Sequence, residues 1–120
     1  MTTPGEAFAK ALAAKDVDAV RAVTTPDVNF RAMTPGRFWE ANTHAELAEV
    51  LFGSWLEPTD EVVALLSTST GEVSTRHHVA YRLHLRNADG DAVMEQQMYY
   101  NVTAGKISWA RVMCSGFVPV

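Results

Sequence analysis

The chain has 120 residues, of which 48% are hydrophobic, and a formal net charge of −4 at neutral pH. This length and composition suit one domain, residues 1–120, with a single hydrophobic core. The ten basic residues are scattered, which argues against a nucleic-acid surface because phosphate binding needs clustered lysine and arginine. No apolar run of membrane-spanning length and no signal peptide is present, so no membrane partner is expected. The single cysteine, Cys114, favours the reducing cytoplasm.

Two short helices are predicted at the start of the chain. Thr3 can cap the first, and Glu6 three residues later can complete a capping box. Asp16 can cap the second, which ends at Thr25-Pro26 because the residue before a proline disfavours helical backbone.

A strand pair and a third helix follow. Residues 28–33 and 37–40 are predicted strands, joined by a turn at Pro35-Gly36. Thr43 and Glu46 repeat the capping-box spacing and open the third helix. That helix carries a stripe at spacings of three and four, which should lie across the sheet: Leu47, Val50, Leu51, Ser54 and Trp55.

The second half of the chain is predicted to form an antiparallel meander. A helix stop at Glu57-Pro58 precedes it, and turn signals at Thr70-Gly71, Asn87-Ala88-Asp89-Gly90 and Thr103-Ala104-Gly105 divide it. Helices kept apart from a long antiparallel sheet define the α+β class. We therefore expect a strongly curved antiparallel sheet, covered on its concave face by about three helices and forming a cone-shaped pocket.

The turns also predict which residues face each other. If Asn87 and Gly90 flank the first turn, the opposite pairs are Leu83 with Met94, Tyr81 with Gln96, Val79 with Met98 and His77 with Tyr100. For the next hairpin we predict a type I turn, a left-handed Gly105 and a bulge. The pairs are then Met98 with Ala110, Gln96 with Val112 and Met94 with Cys114. A two-residue turn would instead bring Trp109, Arg111 and Met113 to the inner face.

The two faces of the predicted sheet differ in character. The inner row is Val79, Tyr81, Leu83, Met94, Gln96, Met98, Tyr100, Ala110, Val112 and Cys114. Its last strand has only small or medium side chains, which leaves volume for a small molecule. The outer face carries Tyr99, Ile107, Trp109 and Met113 beside Arg111, which is too apolar for a solvated surface. We therefore expect a homodimer through Tyr99, Trp109, Arg111 and Met113.

The order of elements resembles the nuclear transport factor 2-like superfamily, and more narrowly its SnoaL-like branch, over essentially the whole chain. The residues that carry the resemblance are Phe8 with Asp16-Val17-Asp18, Thr25-Pro26-Asp27-Val28 and Ala104-Gly105-Lys106-Ile107. The resemblance implies a cone-shaped sheet around a pocket. Members include ketosteroid isomerases, polyketide cyclases, limonene epoxide hydrolases, dehydratases and binders without known chemistry.

The catalytic carboxylates of those enzymes do not carry over. The resemblance implies a base near Ala32 or Met33 and a second Asp near Met98 for the isomerases, and a carboxylate close to Val112 for the epoxide hydrolases. None of these positions holds Asp or Glu. Because a carbon acid needs a positioned base, the mechanisms of those families are not expected here.

The predicted site lies on the concave face. His77, Tyr81, Gln96 and Tyr100 can hydrogen-bond a ligand there, and His77 can exchange a proton near neutral pH. A satisfied internal polar network is the alternative. The predicted ligand contacts are Tyr81, Gln96, Met98, Tyr100, Val112, Cys114, Phe30, Trp39 and Trp55, the last of which also suits the core.

Other conspicuous residues have structural interpretations. Arg31 can pair with Glu40 across the first hairpin, a surface contact worth about 0–1 kcal/mol. A strand gives Cys114 no base that lowers its pKa, so a buried, inert thiol is expected. His77 and His78 point to opposite faces, and no metal site or cofactor is predicted.

These features leave three functions open. The first is a pocket protein that binds a hydrophobic, polyketide-like or steroid-like small molecule, and the missing carboxylates favour it. The second is an isomerase, cyclase or dehydratase that uses His77 with Tyr81 or Tyr100 as acid and base. The third is an interaction module acting through the outer sheet face.

Overall fold

In residues 2–120, seven strands form one curved sheet, and three helices complete the α+β fold. The structure is a computed structural model that describes residues 2–120. The helices are α1 (Pro4–Ala13), α2 (Val17–Val23) and α3 (His44–Ala48), which continues as a π-helical segment (Glu49–Trp55). The strands are β1 (Thr24–Thr34), β2 (Arg37–Ala41), β3 (Glu61–Val73), β4 (Arg76–Asn87), β5 (Gly90–Thr103), β6 (Lys106–Cys114) and β7 (Val118–Pro119). Within residues 2–120, no helix combines the length and hydropathy needed to cross a membrane.

The sheet is mixed, where the sequence predicted antiparallel pairing throughout. The strand order is β2-β1-β6-β5-β4-β3, and β7 pairs with β5. Strands β1 and β6 run parallel, with Ala32 opposite Val112. The other pairs are antiparallel. Turn signals report only neighbours in sequence, so the return of the last long strand beside the first could not be predicted from them.

The predicted helix caps are confirmed. The Thr3 Oγ1 atom accepts from the main-chain N–H of Glu6 at 3.1 Å, and the Glu6 carboxylate accepts from the main-chain N–H of Thr3 at 3.1 Å. Asp16 caps α2 through its carboxylate. Thr43 caps α3 by accepting from the main-chain N–H of Glu46 at 3.1 Å. These bonds satisfy donors that would otherwise be unpaired in the first turn of each helix.

The hairpin between β4 and β5 has the predicted register, with Tyr81 opposite Gln96 and His77 opposite Tyr100. The turn before β4 was predicted wrongly. Gly71 lies inside β3, opposite His78, and the turn is at Ser74-Thr75. Ser74 adopts a positive φ of 55°, a conformation usually associated with glycine, so the glycine was a misleading signal here.

The hairpin between β5 and β6 keeps the predicted inner face but not the predicted turn. Ala104 and Gly105 both have positive φ and form a two-residue turn between Thr103 and Lys106. An extra residue, Ser108, then bulges from β6. The turn is one residue shorter than predicted and the bulge lies further along the strand, so the same side chains of β6 face inward. The predicted opposite pairs are nevertheless wrong: Met98 lies opposite Val112, and Gln96 lies opposite Cys114.

The inner row forms the core. All ten of its predicted members are buried. Four leucine and phenylalanine side chains of the helices are buried with them: Phe8 and Leu12 of α1, Leu47 of α3 and Leu51 of the π-helical segment. Ile107, predicted to face outward, is 1% exposed because it precedes the bulge. Trp109 lies on the outer face, with the guanidinium groups of Arg76 and Arg111 4.1 and 4.2 Å from its ring centroid.

Candidate small-molecule site at the mouth of the cone

A cavity of about 550 Å³ opens at one end of the sheet, which we call the mouth cavity. It lies where the β1–β2 turn, the end of the π-helical segment, the β4–β5 turn and the chain after β6 meet. Its lining residues are Thr34, Pro35, Trp39, Ser54, Trp55, Glu57, Asp60, Asn87, Met94, Cys114, Ser115, Gly116 and Phe117. This volume is within the range of small-molecule sites, roughly 300–1,000 Å³.

Two indole rings form the aromatic wall of the mouth cavity. The ring centroids of Trp39 and Trp55 are 6.3 Å apart, and the planes are nearly perpendicular at 87°. Phe30 packs behind Trp55, with a centroid distance of 6.0 Å. The Trp39 Nε1–H donates to Thr34 Oγ1 at 2.7 Å. Trp55 is buried, and its Nε1–H has no hydrogen-bond partner within residues 2–120.

A buried carboxylate, Asp60, lies on the polar side of the cavity. It is 6% exposed, and its two oxygens accept from the main-chain N–H of Glu57 at 3.1 Å and from Asn87 Nδ2 at 3.0 Å. The Lys15 Nζ atom donates to the main-chain carbonyls of Glu57 (2.7 Å) and Asp60. These bonds fix the loop between the π-helical segment and β3 against the turn between α1 and α2 and against β4.

Asp60 was not predicted from the sequence as a site residue. An aspartate two residues after Pro58 has the ordinary appearance of a turn residue. Its burial depends on Lys15 and Asn87, which lie far from it in sequence, and no local pattern connects these three positions.

The chain after β6 closes another side of the cavity and was not predicted to be ordered in a strand. Ser115 exchanges two bonds with Glu95, both at 2.9 Å. The main-chain N–H of Gly116 donates to Cys114 Sγ at 3.3 Å. Gly116 has a positive φ of 75°, which lets the chain turn towards β7 and sets Phe117 at the cavity.

The structure separates the predicted ligand contacts into two groups. Trp39, Trp55 and Cys114 line the mouth cavity. Six others are buried in the core and are not part of its lining: Phe30, Tyr81, Gln96, Met98, Tyr100 and Val112. As ligand contacts, all nine residues remain predictions.

Tyr81 and Gln96 form a bond of the internal network that the sequence offered as an alternative. The Tyr81 hydroxyl donates to Gln96 Oε1 at 2.5 Å, and the Gln96 amide donates to Met94 Sδ at 3.8 Å. Burial raises the pKa of Tyr81, with a smaller contribution from Cys114. The phenol therefore keeps its proton at neutral pH.

His77 lies away from the mouth cavity. It is exposed at the start of β4, whereas the cavity-lining Asn87 ends that strand, about 33 Å further along the chain at 3.3 Å per residue. Its ring stacks on Tyr100 with centroids 5.3 Å apart. The alternative of acid–base catalysis by His77 with Tyr81 or Tyr100 is therefore not favoured.

The predicted pairing of Arg31 with Glu40 is confirmed, with an Nε–Oε1 distance of 3.7 Å. No group of three or more potential metal ligands occurs within residues 2–120.

Comparisons with known proteins agree on the fold. No protein-family model matches the chain, and no curated protein matches it. Three similar solved structures come from bacteria. A candidate SnoaL-like polyketide cyclase from Mesorhizobium loti has a TM-score of 0.66 at 16% identity, covering 91% of this chain and 94% of its own. A nuclear transport factor 2-like protein from Burkholderia xenovorans LB400 has a TM-score of 0.65 at 18% identity, covering 93% and 86%.

The third is a hypothetical protein with a ketosteroid isomerase-like fold from Catenulispora acidiphila, in complex with trimethylamine. Its TM-score is 0.73 at 12% identity, covering 95% of this chain and 88% of its own. The chain thus has the nuclear transport factor 2-like fold, as predicted, and SnoaL-like proteins are among those that share it. At these identities the likeness concerns the fold.

Proposed function

We propose that this protein binds a small, largely hydrophobic molecule of polyketide-like or steroid-like size in the mouth cavity, without a need for catalysis. The observation that carries the proposal is a cavity of about 550 Å³ bounded by two perpendicular indoles and a buried carboxylate. Apolar walls with a few fixed polar groups are typical of small-molecule sites. A protein of the same fold was solved with trimethylamine, and another is a candidate polyketide cyclase, which supports a small-molecule role.

The roles of the lining residues follow from their contacts. Trp39, Trp55 and Met94 supply apolar surface, and burial of a ligand against them is worth about 25 cal/mol per Å². Asp60 and Asn87 are mutually bonded, so they present a fixed polar edge that can orient a ligand. Their rigidity reduces the entropy that binding costs.

Calorimetric titration with progesterone and 2-naphthol, two uncharged probes, tests the proposal. We expect binding of at least one probe and a rise in melting temperature, since a ligand at 100 times its Kd stabilises the fold by about 2.7 kcal/mol. Ser54→Trp places a large side chain at the cavity and should abolish binding, because Ser54 lines it and is exposed. Ser69→Trp, at an exposed position of β3, is the matched control. Equal affinity in Ser54→Trp would contradict the proposal, as would failure of both probes together with failure of a cationic probe, benzyltrimethylammonium.

We also propose a homodimer formed through the outer sheet face, with Tyr99, Trp109, Arg111 and Met113 in the interface. Met113 is 58% exposed and lies directly opposite Met33, which is 51% exposed. Phe38 lies opposite Met33 on the next strand, so an exposed apolar strip crosses three adjacent strands. A contiguous strip of this kind is typical of an interaction surface.

Light scattering coupled to size-exclusion chromatography tests the dimer. Met113→Glu should yield a monomer, because it puts a charge into the strip directly beside Met33. Leu66→Glu changes an equally exposed side chain on β3, outside the strip, and should leave the mass unchanged. A wild-type monomer at high concentration would refute the dimer.

The cytoplasm is our proposed location, and the support for it is chemical. Cys114 is a free, buried thiol, and a reducing compartment keeps such a thiol in that form.

A further inference from the structure

The lining of the mouth cavity has a pronounced charge bias. Among the described residues that line it, Glu57 and Asp60 carry carboxylates, and no lysine, arginine or histidine is present. Three aromatic side chains, Trp39, Trp55 and Phe117, make up much of the remainder. The electrostatic potential of such a cavity favours a positively charged guest over a negatively charged one.

The charge of Asp60 is not neutralised by direct contact. Both donors to its carboxylate, the Glu57 N–H and the Asn87 amide, are neutral. Lys15 lies nearby, but its ammonium donates to main-chain carbonyls of the loop. Within residues 2–120, no cationic side chain lies within 4.0 Å of the Asp60 carboxylate. A buried carboxylate in this state gains from a cation that enters the cavity, since charges interact more strongly away from water.

The indole pair can solvate the apolar part of such a cation. The two indole rings meet edge to face at 87°, and an ammonium within about 6 Å of an indole centroid is attracted to the face of the ring. Trp39 already holds one cation: the Arg37 guanidinium lies 3.7 Å from its ring centroid. Arg37 lines a neighbouring cavity and not the mouth cavity, so this contact is made outside the mouth cavity.

Trp55 adds an unpaired buried donor to the wall of the mouth cavity. The Trp55 side chain lines the cavity and is only 7% exposed. Its Nε1–H has no hydrogen-bond partner within residues 2–120. Leaving a buried donor unpaired costs about 1–3 kcal/mol. The Nε1 atom is enclosed in this structure, so an oxygen acceptor on a bound molecule would remove that cost only after the indole ring turns towards the cavity.

We infer that the mouth cavity takes an organic cation, namely an ammonium group on an apolar body with an oxygen acceptor. The ammonium lies beside Asp60 and Glu57, the apolar groups lie against Trp39 and Trp55, and the acceptor reaches the Trp55 N–H. This inference rests on the proposed function, because it assigns a ligand class to the same cavity.

The test compares two probes of the same shape that differ in charge, benzyltrimethylammonium and neopentylbenzene. By calorimetry we expect the cation to bind at least about tenfold more tightly, with added salt weakening only the cation. Asp60→Asn should lower the affinity for the cation at least about tenfold and change that for neopentylbenzene less than about twofold. Glu61→Gln, an exposed acid next to Asp60 that does not line the cavity, is the control and should change neither affinity.

Two further variants keep the inference testable if Asp60→Asn does not fold. Glu57→Gln removes an exposed carboxylate, and Trp39→Leu removes a π face while keeping an apolar wall; each should lower affinity for the cation selectively. Equal or tighter binding of neopentylbenzene, or an unchanged cation affinity in all three variants, would overturn the inference and leave the proposed function standing. If no uncharged probe and no cation binds, both fail.

Discussion

The main-chain N–H of Gly5 donates to the hydroxyl oxygen of Tyr100 at 3.0 Å, which joins the first turn of α1 to β5 inside the core. A Cβ atom at Gly5 would lie 2.7 Å from that oxygen and 2.9 Å from Val79 Cβ. The helix therefore approaches the sheet as closely as a glycine permits. Tyr100 is committed to holding α1, which explains why this buried polar group is satisfied without a ligand.

Gly5→Ala should destabilise the protein by about 1–3 kcal/mol, because the added methyl group overpacks the contact with Tyr100. Gly53→Ala is the matched comparison in the π-helical segment. The three heavy atoms nearest to its Cβ belong to the Glu49 carboxylate, the end of an exposed and flexible side chain, and alanine is favoured over glycine in a helix by roughly 0.5–1 kcal/mol. Urea denaturation measures both variants, and equal losses of stability would contradict this explanation.

Tyr81→Phe should cost about 1–3 kcal/mol of stability, because it leaves the buried Gln96 carbonyl oxygen without its donor. Adding Gln96→Met removes the unpaired group while nearly preserving volume. The double variant should then be more stable than the sum of the single changes predicts. Strictly additive losses of stability would show that the 2.5 Å hydrogen bond between Tyr81 and Gln96 adds no coupling energy between the two residues.

Asp91→Asn should lower stability at neutral pH, and the difference from wild type should vanish in acid. A hydrogen bond from Arg86, and secondarily one from His84, holds the pKa of Asp91 below its ordinary value. A carboxyl group whose pKa is lowered by folding stabilises the fold above its unfolded pKa of about 3.9, and this contribution is lost as pH falls through the folded pKa.

Thermal unfolding from pH 7 to pH 2 measures this difference. Asp89→Asn, an exposed acid in the adjacent turn, is the control and should show no such pH-dependent gap. High salt should reduce the effect of Asp91→Asn, because the ion pairs are solvent-accessible. A stability difference between wild type and Asp91→Asn that grows below pH 4 would contradict the prediction.

Lys15→Met should loosen the loop that carries Asp60, because the ammonium bonds to the carbonyls of Glu57 and Asp60. Hydrogen bonds that involve a charged group contribute about 1.5–3 kcal/mol each, so we expect a loss of this order and weaker binding of cavity probes. Methionine matches the apolar stem of lysine without its ammonium, and it has the same cost in the left-handed backbone conformation of Lys15, which has a φ of 52°. Lys10→Met on the exposed side of α1 is the control, and an equal effect there would refute the role of Lys15.

Local patterns predicted the parts of the fold that depend on neighbours in sequence. Thr3, Asp16 and Thr43 cap helices as their spacing indicated, and the turn at Asn87–Gly90 fixed the register that buries Tyr81 against Gln96. The inner face of β6 was also correct, although two errors compensated there: the turn at Gly105 was shorter and the bulge lay further along the strand.

The candidate site could not be predicted in the same way, because long-range contacts build it. Asp60 is buried through Lys15 and Asn87, and Gly116 approaches Pro35 so closely that a Cβ would lie 3.0 Å from its ring. None of these contacts has a periodicity or a turn signal. The sequence placed the ligand contacts on the concave face; three of them, Trp39, Trp55 and Cys114, line the mouth cavity, and the other six are buried in the core.

The methionines provide the most direct test of where a small molecule binds. Met94 lines the mouth cavity, Met98 is buried in the core, and Met33 and Met113 lie on the outer strip. With carbon-13 labelled methionine methyl groups, titration with progesterone should shift the Met94 resonance and leave those of Met98, Met33 and Met113 unchanged. A shift of Met98 with Met94 unmoved would place the ligand inside the cone and contradict the account.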